Sequence, residues 1–247
     1  MEDKNSNFSS MSTAMANTPH YVAWIISLFR PYIGQRLLEV GIGFGNYKTY
    51  LPDLKGYTAI DIDPAAIIHA RKNNPDGDYR LGNINDIVLV EQLQNVKFDT
   101  LMCINVLEHV EEDQVAFSNM LKIVQEGTLL IFVPAFPFLY SDLDRLAGHY
   151  RRYTKSSLRR MVSKFNVHIE RIEYFNPIGG LGWLANKWIR HQNLNEKSIQ
   201  TQVQFFDRYI VPLSRLLGIL TRHFFGQSLI CVIRTGPQEK SCENITP

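Results

Sequence analysis

Glu39-Val40-Gly41-Ile42-Gly43-Phe44-Gly45 is the segment of this chain best suited to holding a ligand with its main chain. Glycines at every second position let the backbone turn tightly and let a ligand approach it closely. A dinucleotide site would place its third glycine one position later, where this chain has Asn46. Glu39 also disfavours a pyrophosphate, whereas the ammonium of a methionine moiety would suit it. A tight strand-to-helix turn needs only one or two of the three glycines, so the loop alone does not establish a ligand.

A second acidic site strengthens the reading. Ile60-Asp61-Ile62-Asp63-Pro64 follows a short apolar run, and Asp61 stands twenty residues after Gly41. A carboxylate at such a strand tip can accept hydrogen bonds from both hydroxyls of a ribose. Asp63 is expected to cap the helix that Pro64 opens. Asp61 has no such structural task, which leaves it for the ribose, and Ile62 would then flank an adenine.

The elements that must position these residues can be read from apolar runs. Arg36–Val40, Gly56–Ile60, Asp78–Leu81, Phe98–Ile104 and Gly127–Val133 read as strands. Helices are expected over His20–Arg30, from Asn46, over Ala65–Lys72 and over Glu112–Val124. Nearly continuous apolar strands alternating with helices imply a parallel sheet covered on both faces. Beyond Pro134 the alternation stops. A charged and aromatic loop runs to Tyr153, then a basic helix covers about 156–164, and Val167–Tyr174 and Ser228–Arg234 can close the sheet. The roughly fifty intervening residues are too many for a loop in a compact domain, and read as a helical lid over about 177–225.

Composition sets bounds. The chain has 247 residues, a formal net charge of +2 and 45% hydrophobic residues, as expected of a soluble domain without an electrostatic reason to bind nucleic acid. Residues 1–18 and 236–247 read as disordered tails around one domain at 19–235. No stretch approaches the ~20 apolar residues of a spanning helix, and no signal peptide is evident, so the cytoplasm is expected. Cys103 and Cys231 lie in apolar strands and read as buried hydrophobes, while Cys242 falls in the tail.

RLLEVGIGFGNY, YTAIDIDP, LGNINDI, FDTLMCINVLEHVEED, GTLLIFVPAFPFLYSDLDRLAGHYRRYT and FGQSLICVIR together resemble the class I S-adenosylmethionine-dependent methyltransferases, in particular their small-molecule type 11/23 branch. The resemblance covers about His20–Arg234. It implies an α/β, Rossmann-like, seven-stranded, mostly parallel sheet with helices on both faces, an antiparallel last strand and a helical lid insertion before it. It implies S-adenosyl-L-methionine as cofactor, with Gly41, Gly43 and Gly45 at its methionine end. Glu39 would lie near the amino group, Asp61 at the ribose, Ile62 and Asn83 at the adenine, and Asn105 at the sulfonium pocket. An acid often stands where this chain has Asn83, whose carbonyl can still accept from an exocyclic amine.

Methyl transfer from a sulfonium is an in-line displacement, and a hydroxyl acceptor must also lose its proton. His149 and His109 follow strand ends and are the candidate bases, although each could instead brace a loop. Some ubiquinone-pathway methyltransferases place Glu-x-x-Glu-His where this chain has Asn105-Val-Leu-Glu108-His109. Loss of the first carboxylate removes a charge a hard cation would want, so no required metal is expected. Arg145, Arg151 and Arg152 could clamp an anionic group on a substrate beside Tyr150. Arg208, Arg215 and Arg222 recur every seventh residue; a lid over an apolar substrate is the simpler reading, a membrane-surface helix the alternative. With no NPPY-type tetrapeptide after the fourth strand, the expected reaction is O-methylation of a small, partly apolar molecule, in secondary metabolism or on a sugar- or lipid-linked acceptor. N- or C-methylation, or a cofactor-binding scaffold for another reaction, are the alternatives.

Overall fold

The structure, a computed structural model, describes residues 18–186 and 203–236. The expected tails, Cys242 and the middle of the insertion with Trp188 lie outside the described residues.

Seven strands form one sheet: β1 (Arg36–Val40), β2 (Gly56–Asp61), β3 (Asp78–Leu81), β4 (Thr100–Ile104), β5 (Gly127–Pro134), β6 (His168–Phe175) and β7 (Ser228–Thr235). Their order is β3-β2-β1-β4-β5-β7-β6. Only β7 runs antiparallel, pairing with β5 on one side and β6 on the other. The expected architecture is therefore present. All five residues of β4 are buried, which is why the strand reads as an unbroken apolar run. Alternate side chains enter opposite faces: Leu38 and Cys103 join one core with Phe117, and Leu37 and Met102 join the other with Trp24 and Ile25.

Helices α1 (Pro19–Phe29), α2 (Pro64–Asn73), α3 (Ile87–Gln94) and α4 (Asp113–Ile123) cover the sheet, followed by α5 (Asp142–Leu146) and α6 (Lys155–Val162). Asp63 caps α2 as expected, accepting from Ala65 N at 2.8 Å. The helix expected from Asn46 is absent; Lys48–Tyr50 forms a single 3-10 turn. Tyr47, Tyr50, Leu51 and Leu54 pack individually against the α1-side core, and Pro52 removes a backbone donor, so the chain crosses to β2 without a regular helix. In contrast α3 was not anticipated. Asp86 caps it through Val88 N at 2.9 Å, and Leu89, Val90 and Leu93 bury its inner face.

The insertion contributes α7 (Pro177–Asn186), a π-helical turn (Phe206–Ile210) and α8 (Val211–Thr221) among the described residues. It is pinned to the N-terminal helix. The buried Asp207 carboxylate accepts from His20 N at 3.1 Å and Tyr21 N at 2.8 Å, filling the capping role at the start of α1. Buried Asn176 ties α7 to α8, its Oδ1 accepting from Gly179 N at 3.0 Å and Ser214 Oγ at 2.7 Å.

Candidate active site

The tips of β1, β2 and β4 lie side by side, and the glycine loop leaves the first of them. Gly41, Gly43 and Gly45 have φ of 80°, 50° and 73°, the left-handed region that a Cβ disfavours. Gly41 is also sterically required, since a Cβ there would sit 2.3 Å from Val106 Cγ2. Gly41 N donates to Ile60 O at 2.8 Å, and Gly43 N donates to Asp61 Oδ2 at 2.9 Å. Asp61 Oδ1 accepts from Asp63 N, also at 2.9 Å. The expectation that Asp61 has no structural task is thus corrected, because its carboxylate joins the loop to the β2 tip. A carboxylate offers about four lone-pair sites, so two remain for ribose hydroxyls. Burial raises the Asp61 pKa against the backbone bonds that lower it.

Glu39 is buried beneath the loop. Its Oε2 accepts from Tyr57 Oη at 2.5 Å, and its Oε1 has no protein partner. Burial pushes this carboxyl up to about 8, opposed by the Tyr57 bond and aided by the charge on Asp61. Ile62 is 71% exposed beside Asp61, an apolar side chain with little protein against it. Asn83 Oδ1 accepts from Asn85 N at 2.9 Å, so its carbonyl already closes a local turn and retains one lone pair. Asn105 follows β4 with φ 53°, its N–H donating to Phe132 O at 2.9 Å. That strained backbone turns the chain abruptly beside the glycine loop.

Just beyond Asn105, His109 and His149 meet edge to face with centroids 4.6 Å apart. His149 Nδ1 lies 2.9 Å from Asp144 Oδ1. The same oxygen accepts from Arg152 Nε at 2.7 Å, and Asp144 Oδ2 accepts from Ser141 N at 2.9 Å and Trp183 Nε1 at 3.1 Å. Burial alone would raise the Asp144 pKa, but the His149 bond and the Arg152 charge outweigh it and hold the carboxyl below its usual range. Burial lowers His109 to about 4, with the His149 charge adding to it. Glu108 is fully buried with neither carboxylate oxygen hydrogen-bonded to protein. Burial lifts it to about 7, against the nearby His149 and Arg152 charges. Ligand atoms of Glu108, His109 and His149 lie within 4.8 Å of one another, close enough to hold a cation. The sequence argued against a required metal because Asn105 replaces a carboxylate; it did not show that His149 folds back onto the Glu108-His109 turn.

The arginines do not form the expected clamp. Arg152 is buried, its guanidinium committed to Asp144 and to Ala135 O at 3.1 Å and stacked over Trp183. It braces the loop and cannot reach outward. Arg151 pairs with Asp113 at 2.9 Å and donates to Glu111 O. Arg145 pairs with Asp142 at 2.8 Å on the surface. Tyr150 and Arg145 are exposed, Arg151 is half-buried and Arg152 is buried.

Asp144, Glu108 and Trp183 were not picked out from the sequence as site residues. The Ser141-x-x-Asp144 spacing is a readable capping-box signal, and Asp144 accepts from Ser141 N at the start of α5. That box buries the carboxylate under His149.

Residues 38–132 match the family model described as a methyltransferase domain. The mitochondrial ubiquinone biosynthesis O-methyltransferase of Schizosaccharomyces pombe is 34% identical over 161 residues, covering 63% of this chain and 57% of that protein. The ubiquinone biosynthesis O-methyltransferase of Xanthomonas euvesicatoria is 23% identical over 66% of this chain and 65% of its own length. The chain thus spans about three fifths of the curated relatives it matches. A SAM-dependent methyltransferase structure from Archaeoglobus fulgidus superposes with a TM-score of 0.55 at 15% identity, covering 88% of this chain and 94% of that one, and shares the fold. Strand order and glycine loop accompany this match: residues 38–132, which carry both the loop and the tips of β1, β2 and β4, are similar to a methyltransferase domain.

The residues present fit S-adenosyl-L-methionine. The orphaned Glu39 Oε1 is an acceptor aligned with an ammonium donor's needs, and a buried acceptor left unmatched costs ~1–3 kcal/mol. Gly41, Gly43 and Gly45 would admit the amino-acid end, Asp61 would hold the ribose, and Ile62 would flank the base.

Proposed function

We propose that the chain transfers a methyl group from S-adenosylmethionine to a hydroxyl of a small, partly apolar molecule, with His149 as the base. The cofactor supplies an electrophilic methyl on a positively charged sulfur. His149 accepts the hydroxyl proton at Nε2, because Asp144 engages Nδ1 and fixes the ring's orientation and tautomer. Asp144, held as a carboxylate by Arg152, stabilises the imidazolium that results. His109 stays neutral at physiological pH and forms a wall against which the His149 ring rests. The observation that carries this reading is the buried Asp144–His149 pair beside the turn that leaves β4. The relatives named for O-methylation support the choice of oxygen. The test is incubation with methyl-labelled cofactor and candidate phenolic or polyprenyl acceptors, followed by organic extraction. Label must enter the organic phase with wild type and fall with His149→Ala.

One observation favours a second reading of the same step. Glu108, His109 and His149 could hold a divalent cation that lowers the acceptor hydroxyl's pKa. Metal dependence of the label transfer separates the two.

A further inference from the structure

A cleft enclosing ≈ 210 Å³ lies between α4 and α6, and none of the residues lining it belongs to the glycine loop, the Asp61 tip or the histidine pair. Ser157, Arg160 and Lys164 stand three and four residues apart, so they share the face that α6 and the turn after it present to the cleft. Asp113 and Gln114, at the start of α4, line a second side, and residues 151–153 line a third. The enclosed space is smaller than the ~300–1,000 Å³ typical of a site for a drug-sized ligand. It suits a compact headgroup.

Charge in the cleft is one-sided. Residues 145–169 contain seven Lys and Arg and no Asp or Glu, in a chain of formal net charge +2. Arg151, Arg152, Arg160 and Lys164 of that run line the cleft, against Asp113 as the acid in its lining. Arg152 is already matched by Asp144 at 2.7 Å. Asp113 is fully engaged: its Oδ1 pairs with Arg151 at 2.9 Å, and its Oδ2 accepts from Tyr153 Oη at 2.8 Å. Two cations remain without a carboxylate. The Lys164 ammonium donates to the neutral Gln114 amide, and the Arg160 guanidinium has no hydrogen-bond or ion-pair partner among the described residues. Both side chains are exposed, and like charges four residues apart repel. Nothing in the fold offsets that repulsion, whereas an oxyanion held between them would. A guanidinium and an ammonium together supply charge-assisted donors to a tetrahedral phosphate, the guanidinium through two parallel bonds.

We propose that this cleft binds the phosphate or diphosphate group of a small phosphorylated ligand, with Arg160 and Lys164 as its main contacts. The cleft also backs onto the candidate active site. Arg152 lines it and at the same time holds Asp144, the carboxylate on His149. The phosphate has two sources, a phosphorylated end of the methyl acceptor or a separate effector acting through Arg152. Anion binding itself does not depend on the methyltransferase reading.

Sodium diphosphate is titrated calorimetrically into the full chain in metal-free buffer, with and without saturating S-adenosylhomocysteine. Saturable binding is expected in both cases, and it weakens with added sodium chloride. Arg160→Gln/Lys164→Gln should weaken it at least about tenfold through loss of two charge-assisted contacts. The melting temperature and S-adenosylhomocysteine affinity of that variant should stay unchanged, because both side chains are exposed. Label transfer then separates the sources. Diphosphate that raises the acceptor KM at constant kcat identifies the acceptor's own phosphate as the occupant, and diphosphate that changes kcat at saturating acceptor identifies an effector. The calorimetry stands whether or not transfer is seen. Absence of binding to the wild type overturns the proposal. So does equal binding by the double variant, or loss of binding once S-adenosylhomocysteine fills its own site.

Discussion

His149 is held by Asp144 through a 2.9 Å contact to an oxygen that Arg152 also engages, so one buried carboxylate serves both a candidate base and a buried cation. The two partners should therefore respond differently to mutation. His149→Ala is expected to lower turnover by about 10²–10⁴, with the melting temperature and cofactor affinity near wild type. Asp144→Ala strips the Arg152 guanidinium of its counter-charge, and breaking a buried pair in this way costs about 3–5 kcal/mol. Thermal unfolding separates the cases: a large loss of stability in His149→Ala would reduce that residue to a brace.

Cofactor affinity should depend on pH through Glu39. Burial holds its carboxyl protonated up to about pH 8 in the cofactor-free protein, whereas pairing with an ammonium requires the ionised form. Binding must then expel a proton below that pH, and affinity rises as pH increases, by up to about tenfold per unit from roughly pH 6 to 8. In the free protein the same group acts oppositely on folding. The folded state keeps a proton that the unfolded chain releases, so this contribution to stability is lost as pH climbs from 4.5 towards 8. Calorimetry in buffers of differing ionisation enthalpy reads the proton count directly, and Glu39→Gln should abolish the release.

Gly41→Ala meets two separate obstacles. The φ of 80° costs an L-residue roughly 1–2 kcal/mol, and the new methyl collides with Val106, a β-branched side chain with little freedom to move. Cofactor binding should fall at least tenfold. Adding Val106→Ala should restore part of the loss and never all of it, a result a double-mutant cycle can quantify.

Removal of divalent cations tests the choice between the two forms of the reaction. If His149 and Asp144 act alone, label transfer after EDTA treatment stays within about twofold of the untreated rate. A larger fall, reversed by added magnesium or zinc, assigns Glu108, His109 and His149 to a metal.

Much of the sheet was legible because strands buried on both faces carry unbroken apolar runs, as Leu101–Ile104 in β4, Leu129–Val133 in β5 and Leu229–Ile233 in β7 do. The glycine loop was legible because positive φ at three alternate positions favours glycine, and the close approach of Val106 at Gly41 requires it. The helix expected after it was not found, since Tyr47 and Tyr50 are spent on the core in ways that mimic helical periodicity. Arg152 looked like a substrate clamp because a sequence gives its charge and conceals its burial. Asp144 was missed for the converse reason: a capping acid looks ordinary until His149 is folded onto it.

The most direct test of the cofactor site is a crystal of the chain grown with S-adenosylhomocysteine. The account predicts ribose hydroxyls on the Asp61 carboxylate, the amino group within hydrogen-bond reach of Glu39 Oε1, and the sulfur turned towards His149. A nucleoside lying elsewhere, or a Glu39 oxygen still unpaired in the complex, would contradict it.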